Sequence, residues 1–401
     1  MKSTAPSHRG QTLIIVAVIL LAANLRPSIT GVGPVISAIE HGTGLSGEIA
    51  GLLTTLPLLA FGVISPLAPR LATTLGIERT LFIGLSVLLA GTVLRAVGPA
   101  WVLLCGMFLV GSGAAVGNVL LPSLVKRDFP QRIGLMTGIY TATMNVFAGL
   151  ASGLSVPLSE DMPWGWRGSL ASWGILAALA VIVWLPLIRQ HHTPDLAPTG
   201  SVLRSFVAWQ VTLFMGLQSF LFYVNVAWLP TLLHDRGMTL TQGGWMVSLM
   251  QLVSLPATFI MPIVASRSPR QRHLVLIVGL LFFVGYLGLL TAKSPALAVI
   301  GVICIGFGAG ASISLALAFF SLRTRTHQQA GKVSGMAQSI GYVLAALGPV
   351  TVGILHSVTG SWAIPLILLL AVVVVMSAFG MGAGRDVFIG ERPVQGNADV
   401  S

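Results

Sequence analysis

Leu21 to Pro34 reads LAANLRPSITGVGP and sets one arginine, Arg26, in the middle of an otherwise apolar run from Gln11 to Ala38. A helix rises ~1.5 Å per residue. A run entering hydrocarbon near Leu13 therefore carries Arg26 roughly 20 Å into a layer about 30 Å thick. From that depth the side chain does not reach either surface easily. A central arginine costs at least ~2.5 kcal/mol on insertion scales, so it faces a wet cavity, a carboxylate or an anionic ligand. The bland alternative is a structural arginine that donates to helix-end carbonyls. The rest of the chain decides whether a cavity exists for it.

Of the 401 residues, 55% are hydrophobic and only 8% charged, a balance that no soluble domain of this size carries on its surface. The apolar runs are long and unbroken rather than ten-residue alternations, so they read as helices and not as barrel strands. The expected fold class is an all-α membrane protein. A net charge of +11 could suggest nucleic acid, but the basic residues stand singly or in threes at the ends of apolar runs. That is the positive-inside pattern, and no nucleic-acid partner is expected. Cys105 and Cys304 fall inside expected helices, which leaves no disulfide framework. MKSTAPSHRG resembles the start of a signal peptide, yet the run behind it is too long and lacks a cleavage site. It reads as an uncleaved first helix.

Hydropathy and turn residues give twelve spans, near 11–38, 47–68, 80–97, 99–122, 134–157, 168–188, 206–232, 243–265, 274–291, 296–320, 333–356 and 362–383. An even number puts both termini on one side. Of the 22 lysines and arginines, 17 fall on that side, four on the other, and Arg26 lies within. Both termini are therefore expected in the cytoplasm. The chain divides into a six-helix half over 1–188, a polar cytoplasmic linker over 189–205, a second half over 206–383, and a tail over 384–401. The halves repeat: GLMTGIYTATMNVFAGL from Gly134 matches GKVSGMAQSIGYVLAAL from Gly331 at a constant spacing of 197. Parallel halves of this kind build transporters around an axis along the membrane normal.

Polar side chains within the spans need a partner or water. Arg26, Thr30 and Gly33 share one helix face, as do Gln218, Phe222 and Asn225 in the seventh span, with Ser219 and Tyr223 beside them. The fourth span offers Asn118, and the eleventh offers Gln338 and Tyr342. The repeat sets Thr141, Asn145 and Ala148 at the positions equivalent to Gln338, Tyr342 and Ala345. Arg26, Asn118, Gln218, Tyr223, Asn225, Gln338 and Tyr342 are the expected substrate contacts. Amides, hydroxyls and rings around one guanidinium suit a compact anion or a flat polar ring. Each amide could equally be interhelical glue, worth ~0.6 kcal/mol.

All 11 acidic residues fall in loops, tails or span ends, so Arg26 has no deep carboxylate partner and no carboxylate proton relay crosses the membrane. His356 is the one histidine inside an expected span, near its end. No HExxH, no phosphate-cradling Gly-rich loop and no deep carboxylate pair is present, so neither enzyme activity nor a metal nor a cofactor is expected.

Twelve helices in two pseudo-symmetric six-helix halves resemble the major facilitator superfamily. The signature of that superfamily between spans two and three survives in outline as Leu75-Gly76 and Arg79, with Thr73 and Thr74 where Asp and Arg usually stand. Seven blocks further resemble the cyanate porter family. They are Leu25-Arg26-Pro27, TTLPLLAF from Thr54, NVLLP from Asn118, KRDFP from Lys126, Ala208-Trp209-Gln210, Trp228-Leu229-Pro230 and SGMAQS from Ser334. Within it the chain is similar to the 2-nitroimidazole exporter branch, which shares the Ala383-Gly384-Arg385-Asp386 ending. The resemblance implies an inner-membrane permease with substrates from cyanate to nitrated azoles. Together these readings point to a monomeric secondary transporter, seated in membrane lipid, that moves a small polar or anionic solute by alternating access. A multidrug-type efflux permease is the alternative. A channel or a transporter-derived sensor would need a continuous polar pore or a sizeable output domain.

Overall fold

The computed structural model describes residues 8–45, 47–189, 202–292 and 294–390. Most of the expected linker and the tail beyond Gly390 lie outside them. The described chain is helical throughout: α1 (His8–Asn24), α2 (Pro27–Thr30), α3 (Ile36–Thr43), α4 (Gly47–Ile64), α5 (Leu67–Leu75), α6 (Ile77–Val97), α7 (Ala100–Asp128), α8 (Ile133–Asp161), α9 (Trp166–Trp184), α10 (Phe206–His234), α11 (Leu240–Ser266), α12 (Arg272–Thr291), α13 (Pro295–Leu322), α14 (His327–Thr359) and α15 (Ala363–Ala383). Eleven segments are long and apolar enough to cross a membrane, and a bent pair makes a twelfth.

Two spans differ from the continuous helices expected. The first breaks between Asn24 and Pro27, because proline has no N–H to continue the ladder and disfavours helical backbone in the residue before it. Beside the break, Asn24 donates to the carbonyls of Leu20 at 2.8 Å and Leu176 at 3.2 Å. The second span bends by 53° between Ile64 and Leu67. Pro66 sits at that corner, and α5 beyond it buries Ala68 and Pro69 while exposing Leu67 and Leu71.

The ends bearing Arg70, Lys126, Arg132, Arg267 and Arg323 form one basic face. The halves meet along two seams, α8 against α11 and α4 against α14. Each seam depends on a glycine: a Cβ on Gly138 would stand 2.6 Å from the Phe259 carbonyl oxygen, and one on Gly335 would stand 2.7 Å from that of Ser65. Those two glycines are 197 residues apart, so the repeat places equivalent close approaches on both seams.

Near the basic face the halves are also tied by polar groups. Lys126 at the end of α7 donates to Ser321 O at 2.6 Å and to Thr324 O, both at the C-terminus of α13. Ser123 Oγ donates to His327 O at 2.6 Å, and Ser321 Oγ to Pro122 O at 3.1 Å. Thr73 and Thr74 take no part, since their hydroxyls turn back onto Arg70 O and Leu71 O of their own helix. Away from the basic face the seams part. Gly149 and Gly153 on α8 and Gly33 are exposed, with nothing within 4 Å of an added Cβ. At these positions, opposite the basic face, no atom of the other half comes within 4 Å of that Cβ.

Candidate functional site

Arg26 stands at the break in the first span, half-buried, where interrupted helices commonly present polar groups to a midplane site. Its carbonyl oxygen accepts from Thr30 N at 2.9 Å and Thr30 Oγ1 at 3.2 Å, so the turn after the break is held from within. Thr30 Oγ1 also reaches Ala148 O at 3.1 Å, and Ser152 Oγ donates to Thr30 O at 3.3 Å, which fixes the broken segment to α8. The guanidinium then points to one side chain: Nη1 donates to Asn145 Oδ1 at 2.6 Å. Among the described residues no carboxylate lies within ion-pairing distance of it. Asn145 Nδ2 donates across the seam to Thr258 Oγ1 at 3.1 Å, and Thr258 Oγ1 donates to Ser254 O at 2.9 Å.

The opposite wall is aromatic. Phe61 on α4 and Tyr342 on α14 pack with ring centroids 4.4 Å apart, and Tyr342 meets Tyr223 edge to face at 6.4 Å. Phe222 lies against Tyr223 at 5.5 Å. The phenol groups of Tyr223 and Tyr342 both lie within electrostatic range of Arg26.

These two walls are the same place in the two halves. Adding 197 to Arg26, Asn145 and Phe61 gives Tyr223, Tyr342 and Thr258. The contacts follow the numbering: Arg26 touches Asn145 as Tyr223 touches Tyr342, and Asn145 touches Thr258 as Tyr342 touches Phe61. The repeat has placed a cationic, hydrogen-bonding triad on the α8/α11 seam and an aromatic triad on the α4/α14 seam.

Of the residues expected at the site, Arg26, Tyr223 and Tyr342 come together here. Gln338, one turn nearer the basic face than Tyr342, is buried, and both polar atoms of its amide lack a hydrogen-bond partner among the described residues. Asn118 is buried on α7 and donates to Ala114 O of its own helix at 2.9 Å. Gln218 donates to Ser219 Oγ at 2.7 Å and accepts from Ser312 Oγ at 3.5 Å, inside the second half. Asn225 is also turned into that half, donating to Tyr286 Oη at 2.7 Å and Leu221 O at 2.8 Å. Asn145, Thr258 and Phe61 were not among the expected contacts. Asn145 was within reach as the repeat partner of Tyr342, and the same spacing of 197 carried to spans two and eight pairs Phe61 with Thr258.

The chain matches the profile of the Major Facilitator Superfamily over residues 13–349 and again over 211–385. It is 48% identical to the uncharacterised transporter YycB of Bacillus subtilis, over 96% of each chain. It is 39% identical to the 2-nitroimidazole transporter of Escherichia coli, over 96% of this chain and 98% of that one. Its fold superposes on the proton:xylose symporter XylE with a TM-score of 0.77 at 13% identity, covering 92% of this chain and 94% of that chain. With twelve spans, two repeated halves and relatives matched from end to end, the chain belongs to the major facilitator superfamily, in the branch that the cyanate porter motifs marked.

Proposed function

We propose that this secondary permease carries a compact anion or a flat, electron-poor ring between its halves, with Arg26 on the charged side and Tyr223, Tyr342 and Phe61 on the stacking side. The observation that carries the reading is the guanidinium itself. It lies deep in a span, half-buried beside the open space, and its hydrogen bond runs to a neutral amide rather than to a carboxylate. A neutral amide offers weaker hydrogen bonds to a cation than an anion does. Asn145 and Thr258 complete the polar wall. Gln338 and Asn118 line the route toward the basic face, and Gln218 and Asn225 brace the helix that carries Tyr223. The basic face is cytoplasmic, by the positive-inside pattern, and the two halves divide at the 189–205 linker. Cyanate and 2-nitroimidazole represent the linear and the ring-shaped solutes.

Binding and counterflow in proteoliposomes test the anchor. Arg26→Gln should weaken cyanate binding by roughly 10- to 100-fold, since a charge-assisted bond contributes about 1.5–3 kcal/mol. Arg26→Lys should restore little, because a point charge does not replace a planar fork. Wild-type binding and counterflow in both purified variants would remove Arg26 from the site.

A further inference from the structure

The bond that occupies Arg26 also ties the two halves together. Arginine can only donate, so the Asn145 oxygen must face Arg26 and its Nδ2 must face Thr258. The Thr258 hydroxyl spends its proton on Ser254 O at 2.9 Å, so toward Asn145 it can only accept. The result is a one-way chain of donors: guanidinium to amide, amide to hydroxyl, hydroxyl to carbonyl. Its middle link, from Asn145 on α8 to Thr258 on α11, crosses from one half to the other.

The position of that link matters as much as its polarity. One turn toward the basic face, Thr141 Oγ1 reaches Thr258 O at 3.4 Å and the seam continues closed through Gly138. One turn the other way on the same helix face is Gly149, with nothing within 4 Å of its added Cβ. Asn145 thus stands where the closed part of the seam gives way to open space. It is bonded at once to the solute-binding cation and to the opposite half. The equivalent position on the other seam, Tyr342, makes ring contacts instead and has no amide to exchange.

We propose that Asn145 is the positioning residue through which solute binding releases the α8/α11 seam. A bound anion takes over the guanidinium from Asn145 Oδ1, the amide is no longer held in its orientation, and the bond to Thr258 is lost from the open end of the seam. The mechanism rests on Arg26 being the solute anchor and adds to it a route by which occupancy changes which side is open. Solute-free protein is held open opposite the basic face partly by this chain. Occupied protein is not.

The test separates binding from movement. Spin labels at Gly153→Cys and Gly244→Cys, in a Cys105→Ala, Cys304→Ala background, report the distance between α8 and α11 on the open side. Both glycines have room for a side chain. In proteoliposomes without solute, Thr258→Val and Asn145→Leu should raise the short-distance fraction at least about threefold over the parent. Thr258→Ser, which keeps the hydroxyl, should return it to the parent value. Adding cyanate at a concentration that saturates each protein by its own binding isotherm should shift the parent distribution and leave that of Asn145→Leu unchanged. Parent-like distributions in Thr258→Val and Asn145→Leu, with and without cyanate, would overturn the coupling whether or not Arg26 holds the solute. Wild-type cyanate binding by Arg26→Gln would instead strike at the anchor, and the solute-free distances would still decide the role of the seam.

Discussion

At the scale of single residues, the proposed site assigns charge recognition and ring stacking to different positions. Arg26 meets the charge or polar atoms of either solute, and Tyr342 and Phe61 offer a linear anion little beyond van der Waals contact. Tyr342→Ala should therefore weaken 2-nitroimidazole by about 0.5–1.5 kcal/mol, roughly two- to tenfold, and leave cyanate nearly unchanged. Tyr342→Phe should spare both. Isothermal titration of the two solutes against the purified variants checks this, and equal losses for both would make Tyr342 a packing residue. Arg26 was legible in the sequence because a cation in hydrocarbon has few innocent explanations. Asn145 and Thr258 were not, since one amide or hydroxyl on a helix reads equally as interhelical glue until its partner across the seam is known. Asn225 shows the same ambiguity from the other side. It shares a helix with Tyr223 but its amide is turned to Tyr286 Oη on α12, a partner that only the three-dimensional structure reveals.

At the scale of elements, the spans were read to within a few residues because an apolar run of that length has one stable form in lipid. The breaks were not, although Pro27 and Pro66 stood in plain view. A proline inside a membrane helix is often tolerated, and whether it kinks or ends the helix depends on what donates to the freed carbonyls. At the first break, Thr30 Oγ1 backs up the bond that its own N–H makes to Arg26 O, and Asn24 donates to Leu20 O and Leu176 O beside it. The superfamily signature at the end of α5 expects charged partners at Thr73 and Thr74, and the protein ties its basic face by another device. Lys126 sets its ammonium on the last carbonyls of α13, where the helix dipole is negative. Lys126→Gln keeps the length of a polar side chain but removes the charge. The loss of about 1.5 kcal/mol or more should shift the ratio of the two facing states roughly tenfold toward opening at the basic face. Alkylation of a cysteine placed at Ser123 should speed up accordingly in that background. Unchanged labelling would show that the other contacts between the halves hold this face shut without Lys126.

At the scale of the whole molecule, the question is what drives the cycle. Proton-driven permeases place an ionisable group in the membrane so that its pKa can differ between facing states. The proposed solute site offers an arginine, amides, hydroxyls and rings, and an arginine does not deprotonate in proteins. His356, the histidine of the eleventh span, is stacked on Trp362 at 4.0 Å and stands 3.7 Å from Asp235, at the helix ends opposite the basic face. It reports on that rim and not on the chamber. The charge that moves is then the solute's own. An anion crossing with a fixed guanidinium should respond to membrane potential at ~2.3 kcal/mol per charge per 100 mV, whereas an uncharged ring should distribute passively. Proteoliposomes holding an imposed potential at uniform pH should therefore accumulate cyanate on the positive side and leave neutral 2-nitroimidazole at equilibrium. With the potential clamped to zero, an imposed pH gradient should concentrate no solute of fixed charge. Sustained accumulation under the pH gradient alone would mean that the protein itself carries a proton, and His356→Gln would then be the first variant to make.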